Sequence, residues 1–160
     1  MILVLSAAAG LLLGIASRAV DTAAWAPSWI GTVVTPWLAL AWLVGALSAR
    51  PWPDGPMVGL AALTATVATY LLAAGTDAGA LWLVLAPVAL VGGPAYGWAG
   101  AAWRSRDALG RPGLALLGAA LLAEGITLQL GDRVLLARIG FGVESLVGLA
   151  IIVLAWMRRP

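Results

Sequence analysis

The chain has 160 residues, 62% of them hydrophobic and 10% charged, with a formal net charge of +2 and a mean hydropathy of +1.01. So much apolar surface cannot be hidden in one aqueous core, and several long apolar runs point to the bilayer as solvent. There is no cysteine, histidine or lysine, which excludes disulfides, thiolate and imidazole metal sites, Ser-His-Asp catalysis and Schiff-base chemistry.

The first apolar run, residues 2–17, carries Gly10 and Gly14, a small-xxx-small pair suited to close helix packing. It lacks a basic n-region and opens a series of similar segments, so it reads as a retained helix rather than a cleaved signal. Residues 18–28 form a polar and aromatic loop with Asp21 and Trp25; Trp25, Trp29 and Trp37 suit an interfacial belt. The second span covers residues 30–47, with Pro36 near its start. The three prolines of Arg50-Pro51-Trp52-Pro53-Asp54-Gly55-Pro56 then predict a rigid loop.

The third span is residues 57–74 and the fourth 78–102, the latter interrupted by Pro87 and Gly92-Gly93-Pro94, where a kink is expected. The loop from Trp103 to Pro112 is the most basic, with Arg104, Arg106 and Arg111. It is first a topology signal and second a surface for anionic headgroups. The fifth span is residues 113–130 and the sixth 134–157, joined by Gly131-Asp132-Arg133. A faint echo between the passages that begin at Pro36 and Pro94 suggests a two-helix repeat, though its spacing drifts by two residues.

The predicted fold is therefore all-α: a polytopic transmembrane bundle of six helices forming a single domain over residues 1–160. With cytoplasmic N- and C-termini, six arginines (50, 104, 106, 111, 158 and 159) fall on the inner side against Arg18 and Arg133 outside, as the positive-inside rule requires. The basic residues lie between apolar segments, so the chain's charge reflects topology and nucleic acid is not an expected partner.

Glu124, Arg138 and Glu144 are the ionisable residues inside these lipid-like segments. Such a group costs about 2.5–3.5 kcal/mol at mid-bilayer on insertion scales, so it faces a partner or a cavity. From the turn at Asp132, Glu124 lies about 12 Å deep, Arg138 about 9 Å and Glu144 about 18 Å, at ~1.5 Å per residue. An interhelical Glu124–Arg138 ion pair follows. It would leave Glu144 as the unpaired carboxyl, a candidate proton carrier, on the small-residue stripe Gly140, Glu144, Gly148.

Thr32, Thr35, Thr66, Thr69, Tyr70 and Gln129 fall in the same outer half, whereas Tyr96 belongs to the inner half. The candidate ligand-binding set is Glu124, Arg138, Glu144, Tyr70, Thr66 and Gln129, lining an outward-facing polar pocket. The bland alternatives are a purely structural Glu124–Arg138 pair and threonines bonded to their own helices. No catalytic constellation, metal site or cofactor is expected, and the chain does not read as an enzyme.

An ordered series runs along residues 10–126: Gly10-xxx-Gly14-xx-Ser17; Pro36-Trp37 with Gly45-Ala46; Arg50-Pro51-Trp52; Gly92-Gly93-Pro94 with Gly97, Gly100, Trp103 and Arg104; and Leu122-Ala123-Glu124-Gly125. In order and spacing it resembles a family of small bacterial integral membrane proteins, mainly actinobacterial and of unknown function. That resemblance implies a multi-pass protein of the bacterial inner membrane and supplies no activity. The length and tryptophan count are also similar to tryptophan-rich sensory proteins, but those have five spans and asparagine-containing motifs, and this chain has no asparagine.

Six short spans and a small-residue first helix look like the substrate-binding subunits of energy-coupling-factor importers. That likeness is architectural and does not fix function. It implies an outer-half pocket for a small solute and a membrane partner docked on the Gly10/Gly14 face. The leading expectation is small-solute binding or transport; the alternative is a non-transporting scaffold or interaction subunit.

Overall fold

The computed structural model describes residues 1–24, 33–48, 53–75, 79–104, 109–131 and 135–157. The elements in chain order are α1 (Ile2–Thr22), α2 (Thr35–Ala46), α3 (Asp54–Ala74), α4 (Leu81–Pro87), a π-helical segment (Val88–Gly92), α5 (Gly93–Arg104), α6 (Gly110–Gly131) and α7 (Leu135–Met157). All the regular structure among the described residues is helical. From α4 through α5 the chain runs as one apolar rod over residues 81–104, giving six rods among the described residues, five of them long and apolar enough to cross a membrane.

The helices overrun the apolar spans where first-turn chemistry allows it. Asp54-Gly55-Pro56 was expected in a loop but forms the first turn of α3, and Pro112 likewise lies in the first turn of α6. A first-turn proline sacrifices only an N–H that has no intrahelical acceptor. At its other end, α1 continues past Ser17 through Arg18 and Asp21. The break predicted around Pro87 and Gly92-Gly93-Pro94 takes the form of the π-helical segment, with the Gly93 N–H returning to the Ala89 carbonyl. A proline four residues beyond a carbonyl cannot bond it, and a π-turn shifts the ladder around the gap.

The sixth rod differs from expectation. A span over 30–47 was expected, but helix α2 begins at Thr35 and has 12 residues, about 18 Å of rise. That is short of the ~30 Å hydrocarbon core. Its C-terminal end is level with that of α5, because an Arg104 guanidinium nitrogen donates to the Ala46 carbonyl at 3.2 Å. The α2 N-terminus therefore lies part-way up the 24-residue rod formed by α4 and α5.

Packing is carried by glycine, as expected where lipid is no less apolar than leucine and helices associate through close van der Waals contact. A Cβ on Gly59 of α3 would come 2.2 Å from the Gly93 carbonyl oxygen of α5, and one on Gly45 of α2 would come 2.0 Å from that of Gly97. These two contacts seat α2 and α3 on α5.

Gly10 and Gly14 are buried against α3, where a Cβ would come 2.1 Å from the Ala62 carbonyl oxygen and 2.5 Å from that of Thr66. The stripe expected to dock a partner is thus occupied within the chain. The α6–α7 hairpin closes through Gly118 and Gly148 in the same way, and α7 docks almost wholly on α6.

Three apolar clusters mark the core among the described residues, one of them Val44, Val58 and Ala62. At the α1–α2–α3 end, Trp37, Leu63, Val67, Tyr70, Leu85 and Ala89 pack together. Nearer the α2 C-terminus, Trp42, Ala46 and Ala99 do so, with Trp103 tilted on Trp42 at 5.0 Å between ring centroids. The Trp42 indole N–H donates to the Gly113 carbonyl at 2.9 Å and ties the start of α6 to α2.

Candidate functional site

The α2 N-terminus is the point from which the site is built. A helix leaves its first-turn N–H groups without intrahelical acceptors, and its aligned peptides place partial positive charge there. Val34, at the N-cap position, offers no side-chain acceptor, and Pro36 has no N–H to satisfy. The Trp37 N–H bonds back to the Val34 carbonyl at 2.9 Å. The N–H groups of Val34 and Thr35 remain.

Glu124 of α6 takes both. Val34 N–H donates to Oε1 at 2.5 Å, Thr35 N–H donates to Oε2 at 2.7 Å, and the Thr35 hydroxyl also donates to Oε2. Every donor of that turn is accounted for, and the cap is supplied by a different helix some 90 residues away. With Arg104 on the Ala46 carbonyl, α2 carries a carboxylate at its positive end and a guanidinium at its negative end.

Glu144 of α7 reaches the same place, with its carboxyl close to Thr35 and to Glu124. Glu124, Glu144 and Thr35 bring two carboxyls and a hydroxyl together from three helices, at the end of a helix that stops inside the bundle.

The expected Glu124–Arg138 pair is not what holds Glu124. Its partners lie on α2, while the Arg138 side chain is exposed on α7. The depth argument matched the two residues along the bundle axis but carried no information about which face of each helix they occupy.

The other expected site residues fall in separate places. Tyr70 donates to Asp21 Oδ2 at 2.5 Å, lies 5.2 Å from the Trp37 ring, and has the Arg18 guanidinium 5.9 Å over its own ring. The Trp37 indole N–H donates to Ser17 Oγ at 2.9 Å. Thr66 and Thr69 bond the Ala62 and Ala65 carbonyls of their own helix, the bland outcome for threonine. Gln129 lies beside Arg138 and Gly142 on the α6–α7 face, and Tyr96 contacts α6 at the Leu116 carbonyl. Thr32, Trp25 and Trp29 lie outside the described residues.

Between α1 and α2 is a groove of about 270 Å³ lined by Leu13, Ser17, Asp21, Val33, Pro36 and Trp37 among others. Its α2 wall is the same first turn that Glu124 caps. Ser17 and Asp21, read as the end of a span and as loop, are polar members of this site. Together with Arg18 they fall at i, i+1 and i+4 on α1, so continuing the helical period past Ser17 was the signal available for them.

A family model described as a family of unknown function (DUF6518) matches residues 1–160. The chain belongs to the DUF6518 family. The DUF6518 match takes in the whole chain, α7 and Glu144 included, where the resemblance read from sequence motifs covered residues 10–126. No curated protein and no solved structure matches the chain. The DUF6518 assignment supplies no activity, so the chemistry rests on the residues themselves.

Proposed function

We propose that the chain is a multi-pass protein of the bacterial inner membrane, with both termini cytoplasmic. In this reading it binds a small solute in the α1–α2 groove and exchanges a proton at Glu124–Glu144 as it does so. The observation that carries the reading is that one turn of α2 serves both places: Val33, Pro36 and Trp37 wall the groove, while Val34 and Thr35 hold the Glu124 carboxylate. A solute that displaces this turn changes the donors around the carboxyl pair, and a change in protonation alters how firmly the turn is held. Intramembrane carboxyls facing the bundle interior are usual elements of proton-linked carriers. The role is non-enzymatic: the groove offers Ser17 and Asp21 without a base–nucleophile pair.

Topology is supported by the charge distribution along the rods. Arg50, Arg104, Arg106, Arg111, Arg158 and Arg159 flank the helix ends that share a side with the N-terminus. Labelling of single cysteines introduced into this cysteine-free chain checks it.

The functional test is proton release from purified protein in weakly buffered detergent with a pH indicator, on addition of vitamins and amines from a panel. The reading expects a compound that raises the parent's thermal midpoint and releases a proton, with release abolished in Glu144→Gln. If no compound shifts the parent, and Glu124→Gln alone loses stability, the second reading stands. That reading is a non-transporting scaffold in which Glu124 is a helix lock, and the three bonds to α2 favour it equally.

A further inference from the structure

Arg138 is a charged side chain within an apolar span that the site above does not use. It is exposed on α7 about 4.5 Å of helical rise below the first residue, Leu135, and makes no hydrogen bond or ion pair among the described residues. An unpaired guanidinium at that depth is costly in hydrocarbon and is relieved by a counter-charge or by snorkelling to the headgroup layer.

It also heads a groove. Arg138, Gly142 and Ser145 follow one stripe of α7 at helical spacing, flanked by Val143 and Leu146, with Gln129 of α6 across from them. The groove measures about 690 Å³ and runs from Arg138 to Leu146, about 12 Å along the helix. Gly142 keeps it open: a Cβ there would meet only the Gln129 side-chain nitrogen, at 3.4 Å. The polar end lies towards the headgroup layer, and the apolar end, with Val143 56% and Leu146 66% exposed, towards the bilayer centre. No acidic residue lines it among the described residues.

We propose that this groove is a binding site for an anionic phospholipid. The phosphate pairs with the Arg138 guanidinium, the Gln129 amide donates to the glycerol-ester region, and one acyl chain lies along Gly142 to Leu146. A cation with no carboxylate beside it among the described residues selects a headgroup of net negative charge over a zwitterion, whose ammonium would find no partner there. The gradient from cation to apolar slot over a lipid-like distance favours a lipid over an acidic side chain from another helix, which would need only the charge.

The test is native mass spectrometry of the detergent-purified chain with dilauroyl phosphatidylglycerol, dilauroyl phosphatidylcholine, or glycerol phosphate. The parent is expected to bind phosphatidylglycerol about tenfold more tightly than phosphatidylcholine, with negligible binding of glycerol phosphate. Arg138→Gln removes the preference, Arg138→Lys keeps part of it, and Gly142→Leu fills the slot and weakens both lipids. The thermal midpoints of these lipid-free variants establish that they are folded. Equal binding of the two lipids by the parent overturns the proposal, as does an undiminished preference in Arg138→Gln. Cross-linking of residue 138 to a protein helix in native membranes, in place of lipid, overturns it in favour of a protein partner.

Discussion

Replacing Glu124 by alanine strips the α2 N-terminus of its acceptor. Two backbone N–H groups and the Thr35 hydroxyl lose their partner together. Interhelical hydrogen bonds in membrane bundles average about 0.6 kcal/mol by double-mutant cycles, which sets a floor near 2 kcal/mol for three. That average reflects side chains able to find other partners, whereas first-turn N–H groups cannot turn away, and a buried unsatisfied donor costs about 1–3 kcal/mol.

A loss of about 2–5 kcal/mol is therefore expected for Glu124→Ala. About half of that is expected for Glu124→Gln, whose carbonyl oxygen still accepts but whose amide turns a donor towards a donor. Reversible unfolding in mixed micelles, followed by tryptophan emission, measures both. Trp37 lies in the first turn of α2 and reports on it directly. A change below about 0.5 kcal/mol for the alanine variant would refute the cap, since even the lowest value per bond predicts several times more.

Glu144→Gln is expected to differ in kind. Its amide can donate permanently to Glu124, as a protonated carboxyl does, so stability should stay within about 1 kcal/mol of the parent while proton exchange is lost; unfolding and indicator titration separate the two. Tyr70→Phe deletes the bond to Asp21 without changing ring packing on Trp37, and a loss of about 1–2 kcal/mol is expected in the same unfolding assay. Gly45→Ala forces α2 away from α5, costing about 1–3 kcal/mol or more, because the obstructing atom is the Gly97 backbone carbonyl and not a flexible side chain. Gly10→Val should destabilise the isolated chain; unchanged stability with loss of a co-purifying protein would instead return that stripe to partner docking.

Much of the architecture was legible because length and apolarity alone specify a membrane helix. Five rods match expected spans to within a few residues, and the deviations lie at the ends, where Pro56, Pro112, Arg18 and Asp21 continue a helix that hydropathy does not count. Span two misled because its apolarity extends over 30–47, whereas the backbone turns helical only at Thr35. An apolar run cannot show that its first turn needs an acceptor from another helix.

For the site, the sequence singled out Glu124 and Glu144 by their cost in lipid but named the wrong partner for Glu124. Depth along the bundle axis is readable from residue counts; azimuth depends on how helices seat on one another, which the glycine contacts determine. Depth groups Tyr70, Thr66 and Gln129, but Thr66 bonds its own helix although it shares a face of α3 with Tyr70, and Gln129 lies apart on the α6–α7 face.

The cap on α2 also has a consequence for how the chain is made. Glu124 is synthesised long after the turn it caps, and it arrives with α6. A nascent chain that has inserted α1 to α5 holds α2 with its leading amides unmet, so integration of the α6–α7 pair is the event that supplies their acceptor. Truncations ending between Arg104 and Glu124 should be held by the insertion machinery or degraded, while a separately expressed α6–α7 hairpin should rescue them in trans.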